Sequence, residues 1–304
     1  MLPDLRIYTT VQDIKYLLVE HEEVISDVIR RDGVWGKEYL DLSATILRNS
    51  LPGRVIDVGA SVGTWTLPLA LMYNDKHTFD SFEPLPKVNM QLGANVLLNN
   101  LDNVNVHKFA LGDKIQLLED AALDFDCSAN HGAYSFNHDY DSFRGIVKTH
   151  DKKDLYEFRR LDDFRFSDVR LIKVTTPAME GKVLNGMEET IRLNNFPPVL
   201  FESWGVEWYA EERKSVIAFL ESKGYMHFHE VKDFVHDHII AFKTKEQEEE
   251  LLSDKPSYQP TTSPFTSVKT ISSPTKTTSS SFEVSEMKQS TDDVLKNQVG
   301  GSLT

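Results

Sequence analysis

Residues 54–67 read R-V-I-D-V-G-A-S-V-G-T-W-T-L, and the rest of the chain can be interpreted outward from them. The β-branched run Val55–Val58 is typical of a buried parallel strand. Gly59 and Gly63 then bracket a tight turn, and a mostly apolar helix continues through Leu67–Tyr73. Glycines let the backbone approach a ligand, and the free N–H groups of a helix's first turn face that ligand. The stretch therefore predicts a site for a nucleotide-like ligand.

Strands and helices alternate downstream of this turn. The expected strands are Val55–Val58, Thr78–Phe82, Val104–Ala110, Arg170–Thr175, Val199–Glu202, Met226–Val231 and His238–Lys243. The expected helices lie at residues 64–74, 86–99, 180–195 and 211–223. Such alternation is typical of a doubly wound α/β sheet. A short polar turn around Asp233 separates the last two strands and predicts a hairpin, whose final strand is antiparallel to the rest.

The N-terminal region and a central segment depart from this alternation. Apolar residues recur at helical spacing in Val11–Val28, and Gly36–Arg48 resembles a second helix, so residues 1–48 are expected to form an N-terminal helical extension. Ile115–Phe158 is rich in Asp, Asn, His, Gly and Ser, with aromatic residues between them. A long irregular segment of this kind in a compact domain is expected to be a binding loop.

Composition defines the remaining boundaries and limits the partners. Residues 49–245 are expected to form the main domain, and the Ser/Thr-rich residues 253–304 are interpreted as a disordered tail because they cannot bury a core. The net charge is −14, and no dense Lys/Arg patch is present. Clamping of nucleic-acid phosphates is therefore not expected.

Cysteine content and hydropathy indicate the compartment. Cys127 is the only cysteine, so an internal disulfide is impossible, which fits a reducing environment. No run approaches the roughly 18 apolar residues of a membrane-spanning helix, and the first residues lack the pattern of a secretory signal. We expect a cytoplasmic protein without a membrane span, and its oligomeric state stays open.

Three kinds of ligand compete for the glycine turn. A nicotinamide dinucleotide site requires G-x-G-x-x-G, but Ser61 stands where the second glycine is needed. The same residues, G-A-S-V-G, match the G-x-S-x-G elbow of serine hydrolases, although only helical sequence is expected upstream, where an oxyanion loop should lie. The third ligand is S-adenosylmethionine. Asp57 precedes the turn, and Glu83 ends the next strand, where a carboxylate accepts hydrogen bonds from a ribose diol.

With these features the chain resembles the FkbM-type S-adenosylmethionine-dependent methyltransferases over roughly residues 34–243. The resemblance lies in several pieces that keep the family's order and spacing. They are V-I-D-V-G-A-S-V-G-T-W-T-L at 55–67, S-F-E-P-L-P at 81–86, L-L-N-N-L-D-N-V-N-V-H-K-F-A-L-G-D at 97–113, N-H-G-A-Y-S-F at 130–136, R-L-D-D-F at 160–164 and L-I-K-V at 171–174.

The resemblance implies a Rossmann-like class I methyltransferase sheet with a C-terminal antiparallel hairpin. It implies S-adenosylmethionine as cofactor and methyl transfer to oxygen on a small-molecule or glycan acceptor, such as a sugar or a small metabolite. The implied cofactor contacts are Asp57, Gly59, Ser61, Gly63 and Glu83, with Ala110 and Leu111 near the adenine.

Two parts of the chain depart from the family pattern. Ser61 stands where the family usually has asparagine. After the fourth strand the family typically reads I-K-I-D-V-E-G-x-E, whereas residues 172–180 read I-K-V-T-T-P-A-M-E. Thr175, Pro177 and Ala178 thus replace an aspartate, a glutamate and a glycine. Ligands sit at the carboxyl ends of the strands in such folds. The change therefore leaves a second hypothesis open, a non-catalytic relative that binds the cofactor or a glycan.

Catalysis requires an aligned acceptor and, for an alcohol, a group that removes its proton. The candidates are Glu202 at the end of the fifth strand, His131 in the N-H-G-A-Y-S-F loop and Lys173 on the fourth strand. Each also has a structural interpretation, namely a bond to neighbouring backbone, a surface position in the loop and a pair with a carboxylate. Trp204, Tyr134 and Phe136 are candidate walls of an acceptor pocket.

The histidines near the C-terminal hairpin were also considered as zinc ligands. His227 and His229 alternate along one expected strand, and His236 and His238 lie near the next. Pairs on one face of a hairpin can hold zinc. Their spacing matches no known motif and the hairpin is expected away from the cofactor edge, so no metal site is predicted.

Overall fold

The computed structural model describes residues 4–138, 140, 148–232 and 237–253. The strands are β1 (Leu5–Thr9), β2 (Lys15–Val19), β3 (Gly53–Val58), β4 (His77–Phe82), β5 (Val104–His107), β6 (Ala110–Leu111), β7 (Gln116–Leu123), β8 (Lys148–Arg159), β9 (Val169–Val174), β10 (Val199–Glu202), β11 (His227–Val231) and β12 (His238–Phe242). The α-helices are α1 (Ile25–Asp32), α2 (Lys37–Asn49), α3 (Thr66–Met72), α4 (Pro86–Leu98), α5 (Glu180–Asn185), α6 (Glu188–Leu193), α7 (Ala210–Ser222) and α8 (Lys245–Leu251).

The central sheet has the strand order β11-β12-β10-β9-β3-β4-β5. Strand β3 pairs in parallel with β4 and β9, and β9 pairs in parallel with β10. Only β12 runs against its neighbours β10 and β11. This order and the reversed strand confirm the predicted Rossmann-like sheet with its C-terminal hairpin, although part of the hairpin turn, residues 233–236, lies outside the described residues.

Strand β3 lies inside the sheet, between β4 and β9, and both of its faces are covered. Val55 belongs to the apolar cluster on one face and Ile56 to the cluster on the other, and neither side chain is exposed. A strand buried on both faces reads as a continuous apolar run rather than an alternating one. This interior position brings the carboxyl end of β3, and the turn that follows it, between the carboxyl ends of β4 and β9.

The prediction that Val11–Val28 is helical was wrong for most of its length. Strands β1 and β2 form an antiparallel hairpin there, and the helix begins only at Ile25. Ile14, Tyr16 and Leu18 are buried, and this is the period of two that a strand requires. The second predicted helix is confirmed as α2.

The segment Ile115–Phe158 is more regular than predicted. Strands β7 and β8 pair antiparallel, and β8 also pairs with β6, which gives a second sheet of three strands. The predicted strand Val104–Ala110 divides accordingly, with β5 in the central sheet and β6 in the second one.

Two further boundaries concern the C-terminal half. The predicted helix 180–195 is two helices, α5 and α6, separated near Gly186, where a Cβ atom would stand 1.9 Å from the carbonyl oxygen of Gly112. The predicted tail lies outside the described residues from 254 onward. Within the part of the chain that the structure describes, no helix is long and apolar enough to cross a membrane.

Candidate functional site

The turn after β3 is held against the ends of its two neighbouring strands. The N–H groups of Gly59 and Ala60 both donate to the carbonyl oxygen of Phe82, at 3.0 Å each. Gly59 has φ 80°, and a Cβ atom there would stand 1.9 Å from the carbonyl oxygen of Thr175. Only glycine therefore permits the close approach between this turn and the segment after β9.

Glu83 follows β4 and binds the same turn. Its Oε2 accepts a hydrogen bond from the Ser61 N–H at 3.0 Å, and its Oε1 accepts one from the Leu85 N–H at 2.9 Å. The side chain is buried, and burial raises the pKa of this carboxyl to about 7, although the two N–H donors oppose that shift. Each carboxylate oxygen keeps a second acceptor site for a ligand.

A cleft of about 670 Å³ opens beside Glu83, and we call it the glycine cleft. It is lined by residues from the ends of β3, β4, β6 and β9 and from the loop after β7, including Gly59, Ser61, Glu83, Phe109, Ala110, Leu111, His131, Tyr134, Phe136, Thr175 and Pro177. The structure thus brings together five of the predicted cofactor residues: Gly59, Ser61, Glu83, Ala110 and Leu111. Their arrangement gives a polar end at Glu83 and an apolar wall at Ala110 and Leu111.

Asp57 and Gly63 do not line the glycine cleft. Asp57 is fully buried and accepts hydrogen bonds from Lys173 Nζ at 2.8 Å and Thr66 Oγ1 at 2.6 Å. Gly63 has φ 94°, and a Cβ atom there would meet Leu67 and Leu92 at 2.9 Å. In this structure both residues support the turn. Asp57 fixes the end of β3 from which the turn begins, and Gly63 permits close packing of α3 against α4.

The contact with Asp57 also indicates the role of Lys173, which is to form a buried ion pair. Its buried ammonium binds Asp57 and also donates to the Gly59 carbonyl oxygen at 3.3 Å. A lysine held in this way is protonated and neutralises the Asp57 charge, so it is poorly suited to accept a proton. The structure therefore favours the ion-pair interpretation of Lys173.

A second cleft of about 610 Å³, the aromatic cleft, adjoins the first. Gly59, Ser61, Gly132, Thr175 and Pro177 line both clefts. The remaining lining includes the rings of Trp35, Tyr39, Tyr140, Trp204 and His238, with Glu202 and Lys173. A ligand in one cleft therefore meets a ligand in the other beside the glycine turn.

Glu202 lines the aromatic cleft at the end of β10, as its predicted position at a strand end requires. Its side chain is 2% exposed and accepts a hydrogen bond from the indole N–H of Trp204. Trp204 itself lines the cleft. Of the three predicted catalytic residues, Glu202 and Lys173 line this cleft, and Lys173 is held by Asp57.

A second buried carboxyl group lies behind Glu202. The Tyr209 hydroxyl is 2.7 Å from Glu180 Oε2 and 3.1 Å from the Glu202 carbonyl oxygen. Burial and the nearby Glu202 charge raise the pKa of Glu180 well above its usual range. The Tyr209 hydroxyl has a single proton, so it can donate to the Glu180 carboxyl oxygen or to the Glu202 carbonyl oxygen, but not fully to both at once.

His131 lies in the glycine cleft rather than the aromatic one. It begins a 3-10 helix, His131–Ala133, and its ring stacks on Phe125 with 5.0 Å between centroids. Nε2 is 3.0 Å from the Cys127 carbonyl oxygen, which can only accept, so Nε2 carries the proton. Burial lowers the pKa of this imidazole, which favours its neutral form.

The altered segment at 175–178 is well anchored. The Ser135 hydroxyl donates to the Pro177 carbonyl oxygen at 2.5 Å, and Glu180 Oε1 accepts from the Thr176 N–H at 2.8 Å. Ala178 has φ 57°, the left-handed conformation that glycine adopts more easily. In the part of the chain that the structure describes, Thr175 Oγ1 is buried without a hydrogen-bond partner.

Sequence reasoning missed Trp35 and Tyr39 of the aromatic cleft, and it considered His238 as a zinc ligand rather than as part of this site. Trp35 and Tyr39 belong to the N-terminal region, for which the sequence predicted a helical extension. His238 faces the cleft because it pairs with Glu202 across β10 and β12. The predicted hairpin could have indicated this position of His238, because a final antiparallel strand places its first residue opposite the last residue of β10. No group of three or more potential metal ligands occurs among the described residues.

Comparisons with known proteins identify a matching family model and several structurally similar proteins. A family model described as the methyltransferase FkbM domain matches residues 57–296. Among solved structures, precorrin-6y C5,15-methyltransferase from Geobacter metallireducens GS-15 is 14% identical, with 68% of this chain and 88% of that chain covered and a TM-score of 0.41. Methyltransferase FkbM from Methylobacillus flagellatus KT is 18% identical, with 63% of this chain and 44% of that chain covered and a TM-score of 0.42.

No curated protein matches the chain. The family model nevertheless spans well over half of the sequence and includes the glycine turn, Glu83 and the residues of both clefts beyond the N-terminal region. The chain therefore belongs to the FkbM methyltransferase family, and it is an S-adenosylmethionine-dependent methyltransferase.

Proposed function

We propose that this enzyme methylates a hydroxyl oxygen of a sugar or another small metabolite, and that the glycine cleft holds the cofactor while the aromatic cleft holds the acceptor. The observation that carries the proposal is the junction of the two clefts. A cleft with a ribose-binding carboxylate and a cleft with a carboxylate and aromatic rings share the same wall at Gly59, Ser61 and Thr175.

The residues of the glycine cleft fit S-adenosylmethionine. Glu83 offers carboxylate oxygens to a ribose diol, and Ala110 and Leu111 offer apolar surface to an adenine ring. The unpartnered Thr175 Oγ1 supplies a further polar contact at the junction. When bound, the cofactor supplies a methyl group on a positively charged sulfur, so the protein has to align the acceptor and remove its proton.

The aromatic cleft fits a neutral ring that carries hydroxyl groups. Trp35, Tyr39 and Trp204 present apolar ring faces, and the Glu202 carboxylate accepts hydrogen bonds from hydroxyls. The one ammonium group in the described lining, Lys173, is neutralised by Asp57. The described lining therefore offers no unpaired lysine or arginine to an anionic acceptor, and a hydroxyl group of the acceptor can donate a hydrogen bond to Glu202.

The test has a binding step and a transfer step. Titration calorimetry with S-adenosylmethionine is expected to show binding, and mass spectrometry is then used to detect methylation in a panel of methyl glycosides, polyols, phenols and amines. Methylation of a hydroxyl compound is the expected result, and Glu202→Gln is expected to abolish transfer while cofactor affinity stays within about twofold. Transfer to amines alone would overturn the oxygen assignment.

The second hypothesis, a non-catalytic binding module, rests on the altered residues Thr175, Pro177 and Ala178. It predicts cofactor binding without transfer to any member of the panel. Restoring the family residues in a Thr175→Asp, Pro177→Glu, Ala178→Gly variant separates the two hypotheses. Transfer that appears only in the restored variant would favour the module.

A further inference from the structure

We propose that His238 is a catalytic residue of the aromatic cleft, which takes the proton of the acceptor hydroxyl while Glu202 stabilises the imidazolium that forms. This inference rests on the proposed function, because it assigns the proton step of that same site. Three observations support it: the register of β10 and β12, the burial of His238 and Glu202, and the presence of both residues in the lining of the aromatic cleft.

The register of β10 and β12 places His238 directly opposite Glu202. Residues opposed on adjacent antiparallel strands project to the same face, with Cβ atoms about 4.5–5.5 Å apart. Both side chains line the aromatic cleft, and they are only 1% and 2% exposed. The imidazole and the carboxylate thus line the same site, and that site excludes most water.

Two groups around His238 would stabilise the positive charge that its ring gains on taking a proton. Glu202 faces it from β10, and an adjacent carboxylate stabilises an imidazolium. The Tyr39 ring from α2 lies 4.2 Å away between centroids, tilted by 34°, and its face also attracts a cation. Lys173 lines the same cleft from β9, but its charge is neutralised by Asp57 at 2.8 Å.

Proton removal by His238 balances the reaction. The acceptor oxygen bonds to the methyl carbon, the electron pair of the broken carbon–sulfur bond stays on sulfur, and the hydroxyl proton moves to the neutral imidazole. Solvent then takes that proton from His238 before the next turnover. Glu202 stays ionised throughout and acts on the charge of the ring, in the manner of a carboxylate–histidine pair.

The first test measures the interaction of the two residues without cofactor or acceptor. The protein is labelled with ¹³C and ¹⁵N in histidine, the His238 signals are assigned from their loss in His238→Gln, and the imidazole is titrated by NMR. Glu202→Gln is expected to lower the pKa of His238 by about one unit or more, a tenfold change in proton affinity. An unchanged pKa would overturn the proposed partnership.

The second test measures transfer to an acceptor that the wild-type enzyme methylates. His238→Gln is expected to lower kcat by about 100-fold or more, to leave cofactor affinity within about twofold and to remove the rise of rate with pH. His229→Gln, at a half-exposed site on β11, is the matched control and is expected to change none of these. A His238→Gln enzyme that keeps the wild-type rate and pH profile would refute the assignment.

Two safeguards keep the inference separate from the proposed function. If the glutamine variant does not fold, His238→Asn provides the same assignment and kinetics. If no hydroxyl compound is methylated, the proposed function fails, whereas the NMR titration still decides whether Glu202 and His238 interact. An interaction without acceptor methylation would support the pair and reject the hydroxyl acceptor.

Discussion

The raised pKa of Glu83 makes cofactor affinity depend on pH in a defined direction. The cofactor-free carboxyl has a pKa of about 7, so about one tenth of the protein is ionised at Glu83 at about pH 6 and about nine tenths at about pH 8. If the ribose hydroxyls donate to the carboxylate, the ionised form binds preferentially. The dissociation constant for S-adenosylmethionine is therefore expected to be about tenfold higher at about pH 6 than at about pH 8, or about 1.4 kcal/mol.

Glu83→Gln isolates this effect from the titration of the ligand's own groups. The variant keeps the shape of the side chain but has no charge, so its affinity is expected to follow only the ligand's titration. At about pH 8 it is expected to bind about 1.5–3 kcal/mol more weakly, because hydrogen bonds to a charged acceptor are lost. Glu119→Gln, at an exposed site on β7, is the control and is expected to behave like the wild type.

The assay is titration calorimetry in buffers of different ionisation enthalpy, which also counts protons. At about pH 6 the wild type is expected to release nearly one more proton on binding than Glu83→Gln, and at about pH 8 almost none. Equal proton release by the two proteins at both pH values would refute the ribose role of Glu83, even if the affinities differed.

The same shift affects the stability of the cofactor-free protein. The folded state keeps a proton on Glu83 up to about pH 7, whereas the unfolded chain releases it near 4.5. The contribution of Glu83 to stability is therefore complete below about pH 4.5 and decreases by about 3 kcal/mol as the pH rises to 7. Burial makes the ionised Glu83 carboxylate unfavourable in the cofactor-free protein. Hydrogen bonds from a bound ligand would offset this cost, so the side chain lowers stability without a ligand and favours binding.

Three further predictions concern the surroundings of the turn. Lys173→Met is expected to lower the free energy of unfolding by about 3–5 kcal/mol in urea titrations, because Asp57 keeps a buried charge without its partner; a loss below about 1 kcal/mol would contradict the ion-pair role. Ala178→Gly is expected to raise the free energy of unfolding by about 0.5–1 kcal/mol, because relief of the left-handed strain exceeds the added entropy of the unfolded chain. The control Ala44→Gly, inside α2, is expected to lower the free energy of unfolding by a similar amount. Ser61 is expected to remain unlabelled by a fluorophosphonate probe, and labelling there would revive the hydrolase hypothesis.

The core of the cofactor site could be predicted because its signals are local. A β-branched run, two glycines and a carboxylate at the end of the next strand are read directly from the sequence, and parallel pairing of β3 with β4 then places Glu83 beside the turn. Chain order and the rule that ligands lie at the carboxyl ends of the strands sufficed for this part.

The N-terminal hairpin could not be predicted in this way. Apolar residues in Val11–Val28 fit a period of 3.6 as well as a period of two, and the sequence alone does not choose between them. The choice is made by α4, where the Asn95 side chain accepts from the Leu17 N–H at 2.6 Å and the Asn99 side chain accepts from the Lys15 N–H at 2.8 Å. These partners are about 80 residues away in the sequence.

The strands β7 and β8 were missed for a related reason. Their apolar residues do not alternate strictly, because Leu117 and Leu155 are exposed while Tyr156 and Phe158 are buried. Pairing joins Gln116 to Phe158, which lies about forty residues later in the sequence. Pairing over such a distance depends on tertiary contacts that local propensity does not encode.

The altered segment at 175–178 acquires a clearer meaning from the structure. Its backbone keeps a fixed path despite the lost glycine, because Thr175 donates to the Val58 carbonyl at 3.0 Å and Glu180 accepts from Thr176. What the changes remove is negative charge, and the remaining ammonium of Lys173 is neutralised by Asp57. Under the proposed function, we therefore assign proton removal to the neighbouring strand ends, where Glu202 and His238 line the same cleft.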